Sequence, residues 1–389
     1  MRFEFTPEEK AFRQEVKDFL KEEWKEDLNV VPGSEEWWAI EMDMRKKLAN
    51  KGWLALSWPE EYGGSGATVM QQVVFSDEWS YAHAPGRDGE GIGYIGPAIM
   101  VHGTEEQKKQ HIGGIARGEV VWCQGYSEPE AGSDLASLST RAALEGDEWI
   151  INGQKIWTSQ AHFADWILLL ARTDPEAPKH KGITMLLADM KTPGVSVRPI
   201  IDMTNGHVFN EIFFDNVRVP KENVVGEVNR GWYAGMTLLD FERSGVEYAA
   251  VSRRALDETI KFALETQVNG KKLIELPTVR NKLSEMAVNI EVSYMMSYQI
   301  AWLQAKGEVP NKEASMGKMF GTEIEQRTFQ TAMHILGLYG QLLPGSKGAP
   351  LHGFIENNYL KSIADTIQSG TSEIQRRIVA TRGLGLPRE

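Results

Sequence analysis

The hydrophobic period of this chain changes twice, and that double switch constrains the fold more than any other feature. Residues 1–120 carry apolar positions at helical spacing, 121–230 at strand spacing, and 231–389 at helical spacing again. The order predicts an α+β protein of three domains: an N-terminal all-α domain (1–120), a middle antiparallel β-barrel-like domain (121–230) and a C-terminal four-helix bundle (231–389). In the first block Thr6-Pro7-Glu8-Glu9 reads as a helix start, with a hydroxyl cap, Pro at the first helical position and Glu three after the cap. Thr104-Glu105-Glu106-Gln107 repeats the pattern, and residues 59–66 (PEEYGGSG) read as a loop. In the second block, apolar runs on either side of Asn152-Gly153 predict a hairpin turning there, with further strands over 166–171, 183–188, 195–200 and 210–219. In the third, long amphipathic runs predict helices over 231–266, 276–305, 311–336 and 371–382.

Charge and cysteine content narrow the function. The net charge is −12 with no basic block, so nucleic acid and anionic membranes are poor partners, although helix N-termini and local cations can still hold a phosphate-bearing ligand. Cys123 is the sole cysteine, which rules out an internal disulfide and a cysteine zinc site and fits a reducing, cytoplasmic setting. No apolar run has signal or membrane-spanning length. The eight His residues are scattered and no metal site is expected. Gly91-Ile92-Gly93-Tyr94-Ile95-Gly96 matches a dinucleotide fingerprint, but polar residues precede it where a strand is required.

One carboxylate stands apart. Glu242 lies in Leu238-Leu239-Asp240-Phe241-Glu242-Arg243-Ser244-Gly245; on a continuous helix it would share a face with Leu238, Leu239, Gly245 and Val246. A carboxyl on an apolar stripe has its pKa raised by burial, which makes it a better proton acceptor for a carbon acid.

Three strings then carry a resemblance: Tyr126-Ser127-Glu128-Pro129-Glu130-Ala131-Gly132-Ser133-Asp134, Gly153-Gln154-Lys155-Ile156-Trp157-Thr158-Ser159, and Gly370-Thr371-Ser372-Glu373-Ile374-Gln375-Arg376. In this order, over essentially the whole chain, they resemble the acyl-CoA dehydrogenase flavoenzymes. The resemblance implies FAD held non-covalently between the β domain and the bundle. Positions matching Gln124, Tyr126 and Ser127 contact the flavin ring in that family, and those matching Trp157, Thr158 and Ser159 cover its other side. Gly132, Ser133, Thr371 and Glu373 are further implied cofactor positions, and Ser133 also matches a contact to the pantetheine arm of CoA. The implied reaction is α,β-dehydrogenation of an acyl-CoA thioester to the trans-2-enoyl-CoA, with electrons passed to an electron-transferring flavoprotein. An acyl-CoA oxidase using the same base, or a non-catalytic subunit of a heteromeric enzyme, are the alternatives; the chain length favours the dehydrogenase.

The chain also departs from its commonest relatives. Their catalytic Glu stands two residues before the Thr of the Gly-Thr pair, where this chain has Ser369, whose backbone N–H could still serve the thioester oxygen. A minority, including the isovaleryl-CoA type, carry the base directly before an Arg on a bundle helix, as in Glu242-Arg243; Arg243 would place the carboxylate or the pantetheine. The family's Arg-x-x-Phe-Gly string, which reaches a neighbouring subunit's FAD, corresponds to Thr266-Gln267-Val268-Asn269-Gly270, and its Gln-x-x-Gly-Gly-x-Gly to His334-Ile335-Leu336-Gly337-Leu338-Tyr339-Gly340. Both have lost key residues. Sterol side-chain dehydrogenases of bacteria pair two different subunits as α2β2, so a tetramer in which a homologous subunit supplies the FAD diphosphate contacts is expected, with this chain bearing the base. Branched, bulky or cyclic acyl groups, sterol or aromatic ones among them, accompany a helix-borne base, and Gly245, Ala249 and Ala250 would leave room for them.

Overall fold

The computed structural model describes residues 4–238 and 245–387. The N-terminal block forms helices α1 (Pro7–Glu23), α2 (Glu35–Asn50), α3 (Val69–Tyr81), α4 (Gly96–His102) and α5 (Glu105–Ala116). Both capping boxes read from sequence form: Thr6 and Thr104 accept the backbone N–H of Glu9 and Gln107, whose side chains reach back to the cap N–H groups. The Gly-rich fingerprint is a π-helical turn, Gly91–Ile95, leading into α4, and a Cβ on Gly96 would lie 2.1 Å from the Trp58 ring. Its glycine serves packing.

The chain forms two compact units, which cut across the three sequence blocks. One comprises Met1–Val30, Thr68–Ala84 and Arg243–Glu389, the other Val31–Ala67 and Pro85–Glu242.

The second unit is built on a seven-stranded sheet of β1 (Trp122–Gly125), β2 (Arg141–Glu145), β3 (Glu148–Ser159), β4 (Trp166–Arg172), β5 (Ile183–Asp189), β6 (Val195–Ile200) and β7 (Phe209–Pro220), ordered β1-β4-β2-β3-β7-β6 with β5 also on β4. The sheet is mixed: the expected antiparallel pairing holds for β3–β7, β4–β5 and β6–β7, but β1 runs parallel to β4. The unbroken apolar runs of β4 and β5 follow from burial of both faces. Leu168, Leu170, Met185 and Leu187 pack with Ile99, Ile112 and Ile115 of α4 and α5; Ile167, Leu169, Leu186 and Ala188 turn inward onto Trp149, Ile151, Ile212 and Phe214 of β3 and β7.

The hairpin expected at Asn152-Gly153 is not there. β3 runs straight through both residues, and the turn falls earlier, at Gly146-Asp147 between paired Glu145 and Glu148, with Gly146 at φ +65°. Gly153 instead sits at a register shift against β7, at φ +151°, where a Cβ would meet Thr140 Oγ1 at 2.6 Å. An Asn-Gly pair marks a backbone excursion; here that excursion is a bulge and a close approach.

The first unit gathers α1 and α3 with α7 (Val246–Glu265), α8 (Pro277–Ala305), α9 (Asn311–Leu336), α10 (Phe354–Asp365) and α11 (Ser372–Ile378); α6 (Gly231–Leu238) precedes α7 in the other unit. Val73, Val246, Ala249, Leu283, Ile290, Tyr294 and Ile324 form its core. Ala249 is therefore taken up by helix packing, as is Gly321, whose Cβ would lie 3.1 Å from the Tyr248 ring. The single helix expected over 231–266 is not continuous among the described residues: Gly245, at φ +71°, caps a fresh start of α7 at Val246, so the face-sharing of Glu242 with Gly245 and Val246 does not follow from one helical period. Residues 354–365, unassigned from sequence, form α10. The departed 266–270 stretch closes a small ribbon, β8 (Gln267–Val268) to β9 (Lys271–Lys272), around Asn269-Gly270.

Among the described residues no helix is long and apolar enough to cross a membrane, and no group of three or more His, Cys, Asp or Glu could hold a metal ion.

Candidate active site

Two of the three resemblance strings meet in the sheet unit. The Ile156 N–H donates to Ser127 O at 2.9 Å, joining the string after β1 to the string on β3. Beneath that contact lies an ion pair that sequence reading passed over. Lys155 is fully buried; its Nζ donates to Glu128 Oε1 at 2.8 Å and Tyr126 O at 3.0 Å. Glu128 also accepts from Ser139 N, Ser139 Oγ and Thr140 N at 2.6–2.9 Å. The only sequence signal was that both residues lie inside strings whose other members were assigned to flavin.

Burial pushes the Glu128 carboxyl up, but Lys155 and the Ser139 and Thr140 donors outweigh it and hold the pKa at about 2. Burial pulls the Lys155 ammonium down to about 8, against the pull of Glu128. Both groups are charged at neutral pH. Because the folded value for Glu128 lies below the unfolded one of about 4.3, the unfolded chain takes up the proton first as acid is added. The Glu128 contribution to stability is complete above about pH 5 and is lost as pH falls toward about 2, while the depressed Lys155 value acts with the opposite sign at neutral pH. Urea melts across the acid range should show this slope in the wild type and a flatter one in Glu128→Gln; equal slopes would assign the acid sensitivity elsewhere.

Around this pair the expected residues take distinct positions. Gln124 and Tyr126 are half-buried; burial, with Glu90 adding to it, raises the Tyr126 phenol, while a hydrogen bond from Gln124 opposes that rise. Gly132 and Ser133 are exposed at the tip of a loop whose base is clamped. Glu128 and Ala131 exchange backbone bonds, and Arg172 Nη2 donates to Ala136 O and Leu138 O. Asp134 beside the tip pairs with Lys179 and accepts from Ser137 Oγ at 2.7 Å.

At the end of β3 the ladder with β7 shifts register between Lys155 and Thr158. Trp157 lies in the shift at φ +61°, a costly conformation for a bulky residue, and its indole is 57% exposed. Thr158 Oγ1 beside it is buried with no hydrogen-bond partner among the described residues. An orphaned buried hydroxyl next to an uncovered indole suits a flat ring with polar edges: the indole supplies apolar contact and the hydroxyl an unmet bond. Ser159, half-buried, closes the strand against Phe209. The donor set fits FAD.

The third string lies in the helical unit. Ser369 is exposed at φ +52° and Gly370 follows at φ +88°. Lys318, buried on α9, donates to Asp365 O and Gly370 O at 2.9 Å each, and Gln375 Nε2 reaches Ser369 O and Gly370 O. The loop is thus fixed from inside, while the Ser369 N–H makes no hydrogen bond among the described residues. Thr371 Oγ1 accepts from Ile374 N at 3.2 Å, so its hydroxyl caps α11, and Glu373 is exposed in the first turn. The altered glycine string ends α9: Gly337 sits at φ +65°, with Leu338 84% and Tyr339 67% exposed. Glu242 and Arg243, the residues singled out for proton transfer and its support, lie outside the described residues.

With the fold and these strings in place, the class follows. The N-terminal, middle and C-terminal domain models of acyl-CoA dehydrogenase match residues 6–119, 123–217 and 229–384, and the chain belongs to this family of oxidoreductases. Its members are FAD-dependent, and FAD is the cofactor. The chain is 36% identical to acyl-CoA dehydrogenase FadE26 of Mycobacterium tuberculosis over 100% of its own length and 99% of the relative's. Among solved structures it is similar to the Tcur3481-Tcur3483 steroid ACAD (36% identity, TM-score 0.92) and to the ChsE4-ChsE5 complex from Mycobacterium tuberculosis (34% identity, TM-score 0.91), each covering 100% of both chains.

Proposed function

We propose that the chain dehydrogenates a bulky acyl-CoA thioester, of the steroid-derived kind, to its trans-2-enoyl-CoA, with Glu242 as the base. The observation that carries the flavin site is the orphaned Thr158 hydroxyl beside the left-handed, exposed Trp157, clamped to the Tyr126 string through Lys155. Bound FAD supplies the acceptor for the β hydrogen, which leaves as hydride. The residues of the chain do the rest. Gln124, Tyr126, Ser127, Thr158 and Ser159 bond the ring edge, and Trp157 excludes water from its face. The Glu242 carboxylate removes the α proton, placed by Arg243. The unbonded Ser369 N–H donates to the thioester oxygen as negative charge develops there, a role that needs no side chain. Ser133, exposed on its clamped loop, meets the pantetheine arm, and Gly132, Thr371 and Glu373 border the cofactor. Electrons pass on to an electron-transferring flavoprotein.

The bulky substrate class is supported by the steroid ACAD among the similar structures and by the shift of the base away from position 369. A panel of straight, branched, aromatic and steroid-derived CoA thioesters, scored by anaerobic flavin reduction, should favour the steroid-derived ones; preference for a short straight chain would overturn this. Peroxide produced stoichiometrically in air would assign the chain as an oxidase.

We further propose an α2β2 tetramer in which a homologous subunit supplies the diphosphate contacts. Support comes from Leu338 where the family has its second glycine, from Thr266 and Asn269 where it has an Arg and a Phe, and from an exposed apolar stripe, Val288, Val292, Met295 and Trp302, along α8. Produced alone, the chain should lack FAD, and co-expression with the homologous subunit should restore it. Full, stable FAD occupancy in a homotetramer would contradict the assignment.

A further inference from the structure

The costly backbone at Trp157 must be over-determined by its surroundings, and one side chain does this. Asn210, fully buried on β7, pairs with Thr158 across the shifted ladder. Its Nδ2 donates to Thr158 O at 3.1 Å, with Val208 O at 3.4 Å and His162 Nδ1 at 3.1 Å. Its Oδ1 lies 2.9 Å from His207 Nε2. The two imidazoles stack with centroids 4.0 Å apart, and His162 Nε2 lies 3.2 Å from Gly33 O.

The protons of this network can be assigned without seeing them. Thr158 O and Val208 O can only accept, so the Asn210 atom facing them is the amide nitrogen. His162 Nδ1, facing that N–H group, must therefore accept, and its proton sits on Nε2. That nitrogen faces Gly33 O, another obligate acceptor, which agrees. Asn210 Oδ1 must in turn accept from His207 Nε2–H. Three backbone carbonyls thus fix the amide orientation, the His162 tautomer and a proton on His207 Nε2.

We propose that Asn210 is a positioning residue for the flavin: locked by the His162 tautomer and by the Nε2–H of His207, it holds the Trp157–Thr158 backbone in the conformation that presents the indole and the orphaned hydroxyl to the cofactor. This rests on the flavin site proposed above. A proton on His162 Nδ1 would set two donors against each other and turn Asn210 away from Thr158 O. The groups facing His162 are His207 in the stack, the Phe163 ring, Gly33 O and, at longer range, Glu35 at the start of α2. Burial lowers the His162 pKa ahead of the opposing pull of Gly33, Asn210 and Glu35. With the folded value below the unfolded one of about 6.5, the network is still intact at that pH and is lost only as further acid carries the pH through the folded value.

The test uses the FAD-loaded enzyme with its partner subunit where the partner is required. Asn210→Leu should accelerate FAD release roughly 5- to 100-fold, the range expected when a buried amide partner is lost, and should shift the visible flavin band. A folded Asn210→Leu enzyme with wild-type release and an unchanged band would overturn the proposal. The wild type gives a second measurement that needs no variant to fold. Histidine-selective ring NMR at neutral pH should find His162 neutral with its proton on Nε2 and a proton on His207 Nε2, and FAD release should quicken only at a pH more acid than about 6.5. A His162 that is protonated, or carries its proton on Nδ1, would overturn it. A wild-type assembly that binds no flavin would overturn both this proposal and the flavin site, whereas correct tautomers with unaltered flavin in Asn210→Leu would remove the positioning role alone.

Discussion

Glu242→Gln is expected to slow substrate-driven bleaching of the bound flavin by about 10²- to 10⁴-fold, the usual contribution of a positioned general base. FAD content and thermal stability should stay near wild type, because the amide keeps the shape of the carboxyl and only its basicity is lost. The expectation is sharp because no second carboxylate competes at the position where most relatives carry theirs: that place is Ser369, held at φ +52° on a loop anchored by Lys318. Its hydroxyl is far too weak a base unaided, and its N–H, unbonded among the described residues, suits the thioester oxygen. A Ser369→Ala enzyme should therefore keep most of its activity, while unchanged bleaching in Glu242→Gln would reject the residue as the base. Stopped-flow absorbance with both variants separates the two outcomes.

The other large effect concerns stability. Glu128→Leu strands the buried Lys155 ammonium with Tyr126 O alone, and Lys155→Met removes the cation that faces a buried carboxylate. Each single change should destabilise the sheet unit by roughly 3–5 kcal/mol, the cost of an uncompensated buried charge. The double variant should lose much less than the sum, since an apolar pair of similar volume has no charge to desolvate. Urea midpoints of the four proteins close the cycle, and additive losses would mean that the two groups are not coupled. Since the pair ties the Tyr126 string to the Trp157 string, each single variant should also release FAD faster than wild type.

Much of this was legible in the sequence. The double switch of period identified helical, strand-rich and helical blocks, amphipathic spacing placed the ends of α8 and α9, and short local rules placed both capping boxes, because caps act through neighbours three residues away. What escaped was non-local. Asn152-Gly153 states that the backbone departs from a regular strand, but only Thr140, pressed against Gly153, decides that the departure is a bulge. The parallel pairing of β1 with β4 leaves no trace in alternation, since strands buried on both faces carry continuous apolar runs whichever way they run. The break at Gly245 was hidden because one glycine inside an apolar helical pattern reads as tolerated. At the proposed site, the strings pointed to Trp157 and Thr158 but carried no sign of the strain of the first or the orphaned hydroxyl of the second, which depend on β7. Lys155, Glu128 and Asn210 look like ordinary surface residue types, and their burial is a property of the assembled sheet.

The most direct test of Glu242 as base is an experimental structure of the FAD-loaded assembly bound to an acyl-CoA analogue that cannot be oxidised. The account predicts a Glu242 carboxylate oxygen within roughly 3–3.5 Å of the analogue's α carbon, on the face away from the flavin, with the Ser369 N–H on the thioester oxygen. A Glu242 side chain turned into solvent, or a different carboxylate at the α carbon, would contradict it.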